Sequence, residues 1–203
     1  MKTKILTIAT IALLGIGSTA FAAAKDSAAT KNEEVSTVLT DVTRINKIEV
    51  HGNVEVYVSN DNTDQVKVYN RYYSESALVQ SRNGVLRISS YAPEKLVVWI
   101  KAADLRSISA YDNAEIRSFG QLSQIELNVD LHNNASAKLD MDAFSANVKV
   151  ADHATADLSG TANDFSLNRD YSASVNHYSL DAASFSESTN MAAVDKSQDL
   201  AGL

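Results

Sequence analysis

The feature that most constrains this chain is a row of alanines that recurs every 19 to 21 residues through its second half. Two apolar rows, which start at Ile108 and Ile116, keep the same spacing. A period of this length is typical of a β-solenoid, in which each turn of the coil stacks about 4.8 Å above the one before. The alanine row comprises Ala114, Ala135, Ala154, Ala173 and Ala192.

A fourth row at this spacing contains turn-forming residues and predicts the corners of the coil. From Asp112 the spacing leads to Asn133, Asp152, Tyr171 and Asn190. Asp and Asn side chains bond nearby backbone groups and tolerate left-handed φ, which suits a tight corner. A meander or sandwich with evenly spaced strands is the alternative, and it explains strand alternation but not stacked corners.

The front half has a period of two and predicts a β-rich N-terminal portion. Val54, Val56 and Val58 alternate with polar residues, as half-buried strands do. Asn83-Gly84 lies between two apolar runs and predicts a β-hairpin, because both central residues of a type I′ turn need positive φ. The whole domain is therefore predicted to be all-β, with antiparallel or mixed pairing in this half.

The N-terminus has the pattern of a secretory signal peptide, residues 1–22. A basic start precedes an apolar run of about 13 residues, which is too short to span a bilayer, and small residues around Ala22 predict cleavage there. Residues 23–44 are small and polar and predict a flexible leader, and residues 45–203 a single domain. We expect an exported mature chain without a membrane span, in the periplasm, at the outer surface or secreted; an uncleaved anchor is the alternative.

Composition excludes several kinds of chemistry. Cysteine is absent, so disulfides, zinc–thiolate sites and cysteine nucleophiles are ruled out. A formal net charge of −7 argues against nucleic acid as a partner, because phosphate is neutralised by clustered Lys and Arg. We expect no cofactor and no bound metal.

Two sets of residues are candidates for ligand binding. The oxygens of the turn row could hold a cation or sugar hydroxyls, with ordinary turn chemistry as the alternative. Tyrosines near arginines could bind glycans or peptides through stacking and hydrogen bonds, with an ordinary strand face as the alternative. The candidates are Asp112, Asn133, Asp152 and Asn190 in the first set, and Tyr72 and Tyr73 in the second.

Catalysis has weaker support in the sequence. Asp140, Asp142 and Asp157 could approach one another at distances that suit glycoside cleavage, but surface carboxylates often do so by accident. A nucleophile elbow, a P-loop and a dinucleotide fingerprint are missing from the sequence. We expect a non-enzymatic protein. A carbohydrate-active β-helix enzyme, or a structural envelope subunit that self-associates, is the alternative.

The order of these features resembles the autotransporter adhesin head domain family, also called the GIN domain. The opening INKIEVHGNVEVYVS, the hairpin RNGVLRIS and the run LVVWIKAADLRSISAYDNAEI carry the resemblance, which covers roughly residues 45–200. It implies a right-handed β-helix with a β-rich N-terminal portion, an adhesin-like binding role at the cell envelope, and no catalytic residues. The implied partner is a surface glycan or protein. The family's usual Gly-Ser-Gly corners are replaced here by bulkier sequences such as Asp-Asn-Ala.

Overall fold

Strands and turns make up the part of the chain that the computed structural model describes, residues 36–39, 42, 44–69 and 77–190. No helix occurs among these residues, so the all-β prediction is confirmed. The predicted signal peptide lies outside them. In chain order the strands are β1 (Ser36–Leu39), β2 (Lys47–Gly52), β3 (Val54–Asn60), β4 (Gln65–Tyr69), β5 (Ala77–Arg82), β6 (Val85–Ser90), β7 (Leu96–Ala102), β8 (Ser107–Ala110), β9 (Glu115–Ser118), β10 (Leu122–Leu131), β11 (Ser136–Val150), β12 (Thr155–Asp170) and β13 (Ser174–Asn190).

The predicted hairpin is confirmed. β5 and β6 pair antiparallel up to Arg82 and Val85, which leaves Asn83 and Gly84 as a two-residue loop. Their φ angles are 52° and 80°, as a type I′ turn requires. β6 in turn pairs parallel with β2, so the front half is mixed, as the sequence indicated.

The structure corrects the predicted flexible leader at its C-terminal end. β1 lies inside the segment that was expected to be unstructured, and it pairs antiparallel with β4 from Ser36 opposite Tyr69 to Leu39 opposite Val66. Leu39 is partly buried against the core, whereas the rest of β1 is exposed. An edge strand with a single inward residue has too little alternation for its sequence to reveal it.

All thirteen strands belong to one sheet that curls around the apolar core. Its hydrogen-bonded order is β1-β4-β7-β3-β9-β11-β10-β8-β2-β6-β5, with β12 beside β11 and β13 beside β12. β11 pairs parallel with β9 through its first residues and with β10 from Met141 onward. The two halves of β11 therefore continue two different parts of the sheet.

Parallel pairing brings together residues that are 19 or 21 apart in the sequence. β11 and β12 run side by side from Ser136 opposite Thr155 to Val150 opposite Arg169. Two apolar rows predicted from the spacing are adjacent across the strands. They are Ile108–Val129–Val148–Leu167 and Ile116–Ala137–Ala156–Val175.

The register between β12 and β13 shifts by one residue. Asp157 lies opposite Asn176 and Ser159 opposite Ser179, so β13 has one extra residue at this point. Beyond the shift, Phe165 lies opposite Phe185, with ring centroids 5.2 Å apart, and Leu167 lies opposite Glu187. An unbroken spacing of 19 residues would place Ser186 opposite Leu167. Serine and glutamate are both polar, so the apolar row ends at Leu167 with or without the inserted residue.

The core is built from inward-facing valines, isoleucines and leucines in the front half and from smaller residues at the corners. Ala114, Ala135 and Ala154 are completely buried and Ala173 nearly so, while Ala192 lies outside the described residues. A larger side chain would have no space at these corner positions. Within the described part of the chain, no helix is long and apolar enough to cross a membrane.

Candidate ligand-binding surface

The first candidate set lies at tight corners between strands. Asp112, Asn133 and Asp152 have φ angles of 62°, 58° and 55°, in the left-handed region that Asn and Asp tolerate better than most residues. Each begins a two-residue turn that leads into the next strand. The turn-forming role that the sequence suggested for this row is therefore what its backbone conformation shows.

The side-chain oxygens of these corners accept hydrogen bonds from the backbone of the preceding corner. Asn133 Oδ1 accepts from the Asp112 N–H at 3.1 Å, and Asp152 Oδ2 accepts from the Asn133 N–H at 2.9 Å. Asp170 Oδ2 accepts from the Asp152 N–H at 3.0 Å. Sequence spacing selected Tyr171 for this last position, but Asp170, one residue earlier, supplies the acceptor.

The remaining predicted residues do not join this ladder. Asn190 ends β13 opposite Asp170, and its Nδ2 donates to Asn168 Oδ1 at 2.9 Å. Tyr72 and Tyr73 lie outside the described residues. Among the residues that the structure describes, no group of three or more His, Asp or Glu could hold a metal ion.

A cluster of three aromatic side chains lies on the outer face of the sheet. Tyr57 of β3 and Trp99 of β7 are paired across neighbouring parallel strands, and their rings stack with centroids 4.7 Å apart and planes 18° from parallel. Phe119 packs at 60° against Trp99 with a centroid distance of 5.2 Å, and 62% of its surface is exposed. We call Tyr57, Trp99 and Phe119 the aromatic cluster.

Strand alternation places the aromatic cluster on the outside. Val56 and Val58 of β3 are buried, so Tyr57 between them points outward. Trp99 of β7 lies between buried Val98 and Ile100 and points outward for the same reason. A Trp at the outward position of an alternating strand was a visible signal in the sequence. Sequence reasoning missed it because the run was judged only by its apolar content.

Charged side chains surround the aromatic cluster. The Tyr57 hydroxyl donates to Glu55 Oε1 at 2.9 Å, and Arg117 pairs with Glu55 at 3.0 Å and with Glu115 at 3.3 Å. Lys95 also donates to Glu115. Hydrogen bonds from Lys95 and then Arg117 lower the pKa of Glu115, while the hydrogen bond to Glu55 raises the pKa of Tyr57.

A second stack lies elsewhere on the sheet, with Tyr111 between two histidines. Its ring is nearly parallel to His51 at 4.5 Å and to His132 at 5.0 Å. His51 contacts Glu49 at 3.3 Å, and His132 contacts Asp130 at 2.8 Å. All three rings are only partly exposed, which suits a packing role between neighbouring strands.

Two of the three acids considered for glycoside cleavage, Asp142 and Asp157, are engaged in different ways. Asp142 accepts a hydrogen bond from Thr161 at 2.9 Å, and Asp157 accepts one from Asn176 and pairs with Lys138 at 3.3 Å. A general acid needs a raised pKa. The described carboxyl groups with a shifted pKa, namely Glu49, Asp61, Asp104 and Glu115, are all shifted downward.

Comparison with known proteins identifies the family. Residues 44–192 match the family model described as "Putative auto-transporter adhesin, head GIN domain". The chain therefore belongs to the GIN domain family, as the resemblance in its sequence implied. No curated protein matches the chain.

Solved structures share the fold at low identity. One is a putative adhesin from Bacteroides fragilis NCTC 9343, with 16% identity and a TM-score of 0.67 over 77% of this chain and 76% of that one. A putative lipid binding protein from Parabacteroides distasonis ATCC 8503 has 9% identity and a TM-score of 0.63 over 77% and 80%. A putative adhesin from the same organism has 13% identity and a TM-score of 0.60 over 77% and 78%. The likeness at these identities is one of fold.

Proposed function

We propose that this protein is a non-enzymatic, adhesin-like module of the cell envelope that binds a surface glycan through the aromatic cluster. The observation that carries the proposal is the outward placement of Tyr57, Trp99 and Phe119 beside the paired charges of Glu55 and Arg117. Family membership supports the adhesin-like role.

The chemistry of the cluster suits a sugar. Aromatic rings pack against the C–H groups of a sugar ring, while nearby carboxylates and guanidinium groups bond its hydroxyls. Phe119 offers the most accessible ring, and Trp99 supports it from the side. Because neighbouring strands and stacking fix the cluster, little conformational entropy is lost on binding.

We further propose that the strands coil as a right-handed β-solenoid with one turn per 19 to 21 residues. β11 contains 15 residues and would measure roughly 50 Å if it were straight. Only residues 151–154 separate its end from β12, whose first residue pairs beside the first residue of β11. Four residues reach less than about 20 Å, so β11 must bend back for the next strand to begin where it does.

Export through a cleaved signal peptide completes the proposal. An adhesin-like role requires the domain to leave the cytoplasm, and residues 1–22 carry the pattern that directs it there. Mass spectrometry of the protein from its native envelope should find a mature N-terminus at Ala23 or within about two residues of it. Retention of Met1 would contradict export by cleavage.

A glycan array tests the binding function. The folded mature domain should bind at least one class of surface glycan, and soluble glycan should compete. Phe119→Ala should lose that binding, whereas Tyr178→Ala should keep it, because Tyr178 is a 96% exposed aromatic residue on β13 outside the cluster. A blank array with folded protein would refute glycan binding. New reducing ends from the bound glycan would refute the non-enzymatic assignment.

A further inference from the structure

A second surface feature is a groove of about 680 Å³. It lies between the segment that precedes β8 and the middle portions of β10 and β11. No member of the aromatic cluster lines it. The charged and large apolar residues that line the groove are Asp104, Arg106, Ile125, Glu126, Asp142 and Phe144.

Two large apolar side chains stand exposed in this groove. Ile125 of β10 is 83% exposed and Phe144 of β11 is 59% exposed. The pairing of the two strands skips both residues, running from Gln124–Ala143 directly to Glu126–Ser145. Burying these side chains would therefore stabilise a complex without disturbing the core.

Strand alternation places Phe144 on the outside of the sheet. Met141 and Ala143 of β11 are buried, so the next residue, Phe144, points outward. Alternation then shifts by one residue, because the next buried residues are Ala146 and Val148 rather than Ser145.

The groove also carries a net negative charge, because three carboxylates line it against the single cation Arg106, which attracts both Asp104 and Glu126. Arg106 neutralises Asp104 through two hydrogen bonds of 2.9 and 2.7 Å. Glu126 accepts from Asn128 and Asp142 accepts from Thr161, each at 2.9 Å, and both donors are neutral. Among the described residues, neither of these two carboxylates forms an ion pair.

Hydrogen bonds hold one wall of the groove in place. Asn60 Nδ2 donates to the Ser123 carbonyl at 3.0 Å, and Gln124 Nε2 donates to Asn60 Oδ1 at 3.0 Å. The wall is therefore tied to β3 across the sheet. A preformed groove binds a ligand with a smaller entropic cost than a mobile one.

We propose that this groove docks an extended peptide segment of a partner protein in which lysine or arginine alternates with large apolar residues. The carboxylates of Glu126 and Asp142 would pair with the cations, and Ile125 and Phe144 would contact the apolar side chains. Complementary charge selects this partner over acidic segments and nucleic acid, which the groove repels. The site is separate from the glycan surface and does not depend on it.

Fluorescence polarisation with a labelled peptide of alternating lysine and phenylalanine tests the proposal. Two comparison peptides carry glutamate in place of lysine, or serine in place of phenylalanine. We expect the first peptide to bind and both comparison peptides to bind at least about tenfold more weakly. Equal binding of the three, or no binding of the first, would overturn the proposal.

Variants of the protein distinguish peptide binding in this groove from non-specific attraction of a basic peptide to an acidic protein. The double variant Glu126→Gln/Asp142→Asn should weaken binding about tenfold, as should Phe144→Ser. The matched control Glu94→Gln/Glu187→Gln removes the same charge from exposed positions that do not line the groove, and it should leave binding unchanged. Circular dichroism confirms folding of each variant. Equal losses in the two double variants, or unchanged binding by Phe144→Ser, would contradict docking in the groove.

Discussion

The backbone N–H of Asn133 donates to the Oδ2 of Asp152, 19 residues later in the chain, at 2.9 Å. Asp112 makes the same contact with Asn133, and Asp152 with Asp170. Each corner is thus closed by a side chain from the following corner. The side-chain oxygens of these residues are therefore used to hold neighbouring corners together rather than to bind a ligand.

Substitutions at Asp152 should separate two contributions to stability, one from its acceptor oxygen and one from its positive φ angle. Asp152→Ala removes the acceptor and places alanine at positive φ, so we expect a loss of about 2 kcal/mol in the free energy of unfolding. Asp152→Gly removes only the acceptor and should lose about 1 kcal/mol. Asp152→Asn keeps an acceptor and should remain close to the parent. Urea denaturation measures all three.

Asp164 provides the matched control, because it is an exposed aspartate on the middle of β12. Asp164→Ala should change the free energy of unfolding by less than about 0.5 kcal/mol. Stabilities for Asp152→Ala and Asp164→Ala that agree within error would contradict the structural role of the corner.

Removal of metal ions should leave the protein as stable as before. The oxygens of Asn133 and Asp152 already accept backbone hydrogen bonds, so the corners have no need of a cation. A metal that bound only the folded state at a hundredfold excess over its Kd would add about 2.7 kcal/mol. We expect no change in the thermal midpoint with EDTA. A drop that calcium reverses would show that the corner row binds a cation.

Gly160 should tolerate alanine far less well than Gly120. Both glycines have positive φ, 106° and 81°, but a Cβ at Gly160 would lie 2.0 Å from the Met141 carbonyl oxygen on the neighbouring strand. A Cβ at Gly120 would meet nothing within 4 Å. Gly120→Ala should cost about 1–2 kcal/mol from backbone strain alone, and Gly160→Ala clearly more. Equal losses in chemical denaturation would contradict this close approach of β11 and β12.

Acid should destabilise the domain through carboxylates whose pKa is lowered on folding. Hydrogen bonds from Lys95 and Arg117 lower the pKa of Glu115 below its ordinary value of 4.5. Burial would raise the pKa of Glu49, but the hydrogen bond from His51 and the neighbouring positive charges outweigh it. The unfolded chain therefore binds more protons, so this stability is complete above about pH 4.5 and is lost as pH falls through the lower, folded pKa values.

Thermal melts between about pH 6 and about pH 3 measure this effect. Glu115→Gln should make the thermal midpoint less dependent on pH. The stability that this carboxylate contributes is less than about 1 kcal/mol, because its ion pairs are partly exposed. Glu94→Gln, at an exposed position, should leave the dependence as it is. A Glu115→Gln variant with the parent's pH dependence would contradict this source of acid sensitivity.

Spacing and alternation were sufficient to predict much of the fold. The rows through Ile108 and Ile116 are adjacent in the structure because parallel strands with a constant register repeat the same inward positions. The Asn83-Gly84 hairpin was equally predictable, since few residue pairs adopt two consecutive positive φ angles.

Features that break the local pattern could not be predicted in this way. The inserted residue in β13 is set by pairing with β12 rather than by its own sequence. β1 depends on contacts with β4, about 30 residues away, and has only one inward side chain to signal them. The acceptor role of Asp170 required the backbone geometry of the last corner.

The aromatic cluster shows why the candidate site could be predicted only in part from the sequence. Outward placement of Tyr57 and Trp99 follows from alternation within each strand, but their stacking depends on the parallel register of β3 and β7. Phe119 comes from a turn 20 residues further along the chain. Only tertiary structure brings the three rings together.

The emission of Trp99 offers the most direct test of the central claim, because the chain contains a single tryptophan. Titration with the glycan identified on the array should change that emission in a saturable way, with the same midpoint as binding measured independently. Tyr178→Ala should keep this midpoint, and Phe119→Ala should shift it at least about tenfold. Saturable glycan binding without any change in Trp99 emission, and with unaltered affinity in Phe119→Ala, would show that the glycan binds elsewhere.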